Sequence, residues 1–206
     1  MNTPEKSLAQ RIRKTRAFFA PKNLESLILK YDGQAILLVI DVQREFCDPW
    51  YSRGNKETKA VSERIQSIAP AFRRAGVPVY AVYYSTTGEK ERRDIDFYKF
   101  LPASEDQLFA KSTDSAFESG RLKKALENDK RKLLLVCGFN QAACVKRTVL
   151  SARKEGYDVC LLEDLAGNDN WNTGGSGAKA AMEKKGVIMA ASADVLKLLR
   201  APAPKP

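Results

Sequence analysis

Two runs, Ala35–Ile40 (AILLVI) and Leu133–Gly138 (LLLVCG), are apolar at every position up to their last glycine. A strand with one wet face alternates polar and apolar residues. An unbroken run of this length is a strand covered on both sides, as in a parallel sheet between helices. Four weaker strand candidates follow the same pattern: Val77–Tyr84, Leu108–Ala110, Asp158–Leu162 and Val187–Ala190. Between them lie segments of helical period. Val61, Ile65, Ile68 and Phe72 mark one face of a helix over Thr58–Ala75, and Ser119–Asn128 is a second. Val145, Thr148, Val149 and Ala152 mark a third that stops at Gly156. Gly177–Lys185 is an Ala-rich fourth, and Ser192 is placed to cap a last one. Six strands alternating with helices predict an α/β fold, a three-layer α/β/α sandwich around a six-stranded, mainly parallel sheet.

The 206 residues suit one domain, predicted over residues 31–200. A basic N-terminal extension (1–30), expected to be helical, precedes it, and a proline-rich flexible tail (201–206) follows. The formal charge is +10, and residues 1–30 hold seven basic residues against two acidic ones. The extension has Phe18 and Phe19 but no interleaved aromatics for base stacking, so a solvated helix face is expected and nucleic acid is not an expected partner. No run approaches the roughly 20 apolar residues of a membrane span. Cys47, Cys137, Cys144 and Cys160 form no CxxC pair. That pattern suits a reducing, cytoplasmic setting.

The chain contains no histidine. This removes histidine-based triads and histidine-built zinc sites, so any base must be a carboxylate, lysine, tyrosine or thiolate. In a parallel sheet, ligands bind beyond the carboxyl ends of the strands. Three residues stand there. Asp41 follows the first strand and on its own has three readings: a turn cap, a metal ligand or a base. Cys144 lies where a loop, Gly138–Ala143, turns into a helix; helix-terminal N–H groups would lower its thiol pKa and could hold an oxyanion, and a buried structural cysteine is the plainer reading. Lys111 follows the short third strand and alone reads as a solvated surface lysine. Together they supply a nucleophile, a proton acceptor and a cation for the thiolate.

These segments resemble the isochorismatase-like cysteine hydrolase superfamily. The likeness is carried by Ile40-Asp41-Val42-Gln43 with Phe46, and by Lys111 with Ser115-Ala116-Phe117. Gly138–Val145, continued by Thr148, Ala152, Gly156-Tyr157-Asp158-Val159 and Asp164, completes it. Asp41 and Lys111 are 70 residues apart, Lys111 and Cys144 33. The resemblance covers roughly residues 33–190 and implies the fold already predicted. It implies Asp41 as general base, Lys111 as thiolate-stabilising cation and Cys144 as nucleophile. It also implies a non-proline cis peptide between Phe139 and Asn140, with the N–H groups of Ala143 and Cys144 aimed at a substrate oxygen. Nicotinamidases of this family bind a metal through Asp-x-His and a further histidine; this chain reads Tyr84-Ser85-Thr86-Thr87, so no metal and no other cofactor is expected. Gln141 stands where many relatives carry a small or hydroxyl residue, beside the pocket. Phe46, Trp50, Tyr84, Phe139, Asn140 and Trp171 are further pocket candidates, with the aromatics placed to sandwich a flat substrate.

The expected activity is hydrolysis of a C–N bond in a small amide, carbamoyl or ureido compound through a thioester. The alternatives are an isochorismate-type vinyl-ether hydrolase releasing pyruvate, which the presence of Cys144 disfavours because true isochorismatases often lack the cysteine, and a non-catalytic binding or scaffold protein. Relatives often form dimers or tetramers, so a homo-oligomer is expected.

Overall fold

The computed structural model describes residues 23–86 and 96–200. The predicted helix in the first 22 residues, part of the polar loop after Thr86 and the tail lie outside the described residues. In chain order the elements are α1 (Leu24–Lys30), β1 (Ala35–Ile40), α2 (Arg44–Cys47), α3 (Lys56–Arg74), β2 (Val79–Tyr84) and β3 (Gln107–Lys111). They continue with α4 (Gly120–Asp129), β4 (Leu133–Gly138), α5 (Lys146–Lys154), β5 (Asp158–Ala166), α6 (Gly175–Glu183), β6 (Ile188–Ala190) and α7 (Ser192–Arg200). One turn of 3₁₀ helix (Ala116–Glu118) precedes α4, and one π turn (Gln141–Val145) precedes α5.

The six strands form one sheet in the order β3-β2-β1-β4-β5-β6, every pair parallel. The two uninterrupted apolar runs, β1 and β4, are its adjacent central strands and are buried at every residue. Strand alternation divides them between two cores. Leu37, Val39 and Leu135 pack with Ile65 and Phe72 of α3, Leu27 of α1 and Val195 of α7. Ile36, Leu38 and Val136 pack with Leu122 and Leu126 of α4, Val149 of α5 and Met182 of α6. The predicted three-layer sandwich is the fold observed.

The structure moves some boundaries. β5 runs on to Ala166 instead of stopping at Leu162, because the β4–β5 register shifts between Val136 and Gly138 and lets Gly138 pair with Ala166. α6 begins and ends two residues before the predicted span. The cap of α7 is also different. Asp164 accepts both the Ser192 N–H, at 2.8 Å, and the Ser192 hydroxyl, at 2.6 Å. The carboxylate that satisfies this helix start therefore comes from β5, and Ser192 spends its hydroxyl on it.

At the carboxyl edge, β1 and β4 approach too closely for a side chain. Gly138 has φ +109°, and a Cβ there would fall 2.1 Å from the Ile40 carbonyl oxygen. The adjoining Phe139 N–H donates to that same oxygen at 2.8 Å. Glycine thus lets the chain leave β4 directly beside the end of β1.

Because β4 is central and buried, Leu135→Ala is expected to destabilise the protein by about 2–5 kcal/mol. Trp50→Ala, at an exposed position, should stay within about 0.5 kcal/mol. Urea unfolding of both variants checks the contrast.

Candidate active site

Asp41 is the first residue past β1. Its N–H still donates to Val82 O at 2.8 Å, so it is tied into the sheet. Its φ is +51°, a left-handed conformation that aspartate tolerates better than most side chains. Gln43 then imitates one more rung of the β1–β2 ladder: its side chain donates to the Tyr84 carbonyl at 3.0 Å and accepts the Tyr84 N–H at 2.6 Å. On the far side of β2, the last residue of β3 is Lys111, whose carbonyl accepts the Ser85 N–H at 2.8 Å.

Sheet geometry brings the three polar residues together. Lys111 Nζ lies 2.7 Å from Asp41 Oδ2, with the side chains 0% and 1% exposed. It also lies 3.0 Å from the Thr113 carbonyl and 3.5 Å from Cys144 Sγ. The solvated lysine that Lys111 would be on local grounds is therefore a buried cation held by a carboxylate, a carbonyl and a sulfur. Its ammonium sits 5.1 Å from the centre of the Tyr84 ring, an added attraction of cation–π type.

The electrostatics follow from burial and from the neighbouring charges. Desolvation raises the Asp41 pKa, with Lys111 acting in the opposite direction. Burial alone would depress Lys111, but the charges of Asp41 and Cys144 outweigh it, and its pKa is raised. Cys144 is pushed up to about 12, first by burial and then by the Asp41 charge, with Lys111 opposing. This reverses the expectation of a thiol acidified by a helix start. Cys144 lies in the π turn, beside a buried anion, and at rest it is a thiol. Cys47, Cys137 and Cys160 are also raised, in each case by burial first.

The loop before Cys144 contains the expected cis peptide, Phe139–Asn140. Neither side chain of that bond lines a pocket. Phe139 is fully buried in the core. Asn140 is tied at both ends to Asp169, accepting its N–H at 2.7 Å and donating to its carboxylate at 3.1 Å. The Ala143 N–H donates to the Asn140 carbonyl at 3.0 Å, so it could reach a substrate oxygen only by sharing that bond. Gln141 is buried, its N–H on the Gly167 carbonyl at 2.8 Å. Its Nε2 has no partner among the described residues.

The aromatic candidates separate. Phe46 and Tyr84 meet edge to face, with ring centres 6.4 Å apart, next to Lys111. Trp171 is 67% exposed and Trp50 91% exposed. What lies between Phe46 and Trp171 is a guanidinium. The Arg53 Cζ is 4.4 Å from the Phe46 ring centre and 4.9 Å from that of Trp171. Its Nε donates to Asp169 at 2.7 Å. Of the aromatics placed to sandwich a flat substrate, Phe46 and Trp171 hold Arg53 between them in this structure.

Several site residues carried no sequence signal that was read. Arg53 and Asp169 pin the loop after α2 to the loop after β5. Asn168 Oδ1 accepts the Ala142 N–H at 2.8 Å. Asp114 places a carboxylate oxygen 3.9 Å from Cys144 Sγ. The Ser-Ala-Phe segment has a positioning role: Ser115 Oγ meets Ser151 Oγ at 2.9 Å, and the Ala116 N–H donates to Thr148 Oγ1 at 3.0 Å. Phe117 packs on Tyr157 with ring centres 5.6 Å apart. The loop after Lys111 is thereby docked on α5.

Metal ligation does not suit this set. β2 ends in Tyr84, its ring under the Lys111 ammonium, and no cluster of three His, Cys, Asp or Glu side chains occurs among the described residues. No described helix is long and apolar enough to cross a membrane.

Comparison with known proteins agrees with this fold. The isochorismatase domain model matches residues 35–194. The secreted isochorismatase effector Isc1 of Verticillium dahliae is 26% identical over 141 residues, 65% of this chain and 73% of that protein. Among solved structures, a cysteine hydrolase from Pseudomonas syringae superposes with a TM-score of 0.71 at 20% identity, over 87% of this chain and 94% of that one. An isochorismatase family protein from Desulfovibrio vulgaris gives 0.71 at 19% identity, over 82% and 99%.

If the Asp41 charge holds the thiol up, Asp41→Asn should lower the midpoint of thiolate formation at Cys144, and Lys111→Met should raise it. Ultraviolet thiolate absorbance against pH, with Cys144→Ala subtracted, measures both. A midpoint unmoved by Asp41→Asn would contradict this account.

Proposed function

The chain belongs to the isochorismatase family, and from that premise we propose that it is a cysteine hydrolase cleaving the C–N bond of a small amide, carbamoyl or ureido compound. The observation that carries the reading is one lysine ammonium in contact with both a buried carboxylate and a thiol, 2.7 Å and 3.5 Å away.

The steps balance within that group. Cys144 sulfur attacks the substrate carbonyl carbon while Asp41 takes the thiol proton. The carbonyl oxygen becomes an oxyanion, held by the N–H of Cys144 itself and by that of Ala143, which shares its bond to the Asn140 carbonyl. The oxyanion collapses, the C–N bond breaks, and Asp41 gives its proton to the departing nitrogen. Water then attacks the thioester, again losing a proton to Asp41, and the C–S bond breaks. Cys144 recovers its proton and the acid leaves. Throughout proton transfer from Cys144 to Asp41, Lys111 faces one negative charge, on oxygen or on sulfur. A high resting thiol pKa fits this cycle, because the thiolate need form only as attack begins.

Four free cysteines suit a reducing compartment, and a cytoplasmic setting is part of the reading. A vinyl-ether diacid fits less well, since the Asp114 carboxylate would face its negative charges.

A panel of small amides, carbamoyl and ureido compounds should yield ammonia with the wild-type protein. Cys144→Ala should lower the rate about 1,000-fold or more. Pyruvate from isochorismate with no ammonia from any panel member would contradict the amide reading.

A further inference from the structure

Asp114 is an exposed carboxylate that makes no ion pair among the described residues, in a chain of 35 basic and 25 acidic residues. The backbone on either side of it is anchored. Lys111 Nζ donates to the Thr113 carbonyl at 3.0 Å on one side of it. Ser115 and Ala116 are anchored to Ser151 and Thr148 of α5 on the other. The result is a carboxylate oxygen held 3.9 Å from Cys144 Sγ, on the solvent side of the nucleophile.

A second negative charge there opposes thiolate formation, in the same direction as Asp41. It does nothing for the sulfur itself. It can act on what the sulfur attacks. A carbonyl carbon in attack position lies roughly 3–3.5 Å from the sulfur, so a substituent of that carbon turned toward Asp114 Oδ1 can reach it within hydrogen-bond range. An –NH2 group offers that oxygen two N–H donors. An ester oxygen offers none, and a carboxylate repels it.

We propose that Asp114 is a specificity-determining residue: it accepts a hydrogen bond from the –NH2 of the scissile group and sets the preference for an unsubstituted nitrogen over an ester oxygen. This rests on the hydrolase reading and narrows it. Substituted amides, esters and acids with a charge next to the carbonyl are disfavoured. Asp41, paired with Lys111, serves proton transfer from the buried side of the sulfur, and Asp114 is the carboxylate left on the exposed side to accept an N–H of the same nitrogen.

The test compares wild type and Asp114→Asn on a carboxamide, its N-methyl amide and its methyl ester with a common acyl group. Asp114→Asn should lower the amide-to-ester ratio of kcat/KM about 10–100-fold, as for a hydrogen bond to a charged group. A ratio unchanged by the substitution would overturn the proposal. If no acyl compound is turned over in a Cys144-dependent way, the hydrolase reading fails, and alkylation of Cys144 decides for Asp114. Wild type should then favour iodoacetamide over methyl iodoacetate more strongly than Asp114→Asn does. Equal preferences would overturn the proposal, and the Asp114→Glu variant, which keeps the charge, should retain part of the preference.

Discussion

The buried pair of Lys111 and Asp41 is the constraint around which the rest of the edge is built. Two opposite charges with no exposed surface are stable only as a pair; removing one partner from such an arrangement costs about 3–5 kcal/mol. The pair also joins the ends of β1 and β3, which are not neighbours in the sheet and have β2 between them. It fixes the charge that the nucleophile feels. A proton passing from Cys144 to Asp41 moves negative charge a short distance around one ammonium, with no net charge created beside the buried pair. Catalysis through a weakly acidic thiol is reasonable on those terms, since solvent need not reorganise around a new ion.

The loops around this pair are held by polar contacts of long sequence separation. Asp169 gathers the Arg53 guanidinium, both ends of the Asn140 side chain and the backbone of residues 171–172. One buried carboxylate thereby positions the cis-peptide loop and holds the guanidinium that fills the gap between Phe46 and Trp171. Asp164, within β5, starts α7. Asp164 and Asp169 are structural, whereas Asp41 and Asp114 face the thiol.

The fold was legible because β1 and β4 are apolar on both faces, a pattern that central parallel strands require and few other structures permit. The Asp41, Lys111 and Cys144 constellation was legible because each stands at or beyond the carboxyl end of a strand, where parallel topology gathers side chains. Other features had no local signature. Nothing near Arg53 marks it as stacking on a residue 118 positions away, and Phe139 reads equally as core or pocket until the turn of the cis peptide is seen. Asp114 sits in a polar loop that looks like any solvated one. The sign of the Cys144 shift was misread because a helix start is visible in sequence, whereas a buried carboxylate brought close by sheet pairing is not. Ser192 was misassigned for the same reason: the carboxylate that caps α7 is 28 residues upstream.

The central claim is covalent catalysis by Cys144, and rapid acid quench with intact-mass analysis tests it most directly. A carboxamide turned over by the wild-type protein should leave, at early times, a mass increase equal to its acyl group, mapped to the peptide carrying Cys144 and removed by hydroxylamine. Product forming at every quench time while Cys144 stays unmodified, with Cys144→Ser as active as wild type, would contradict it.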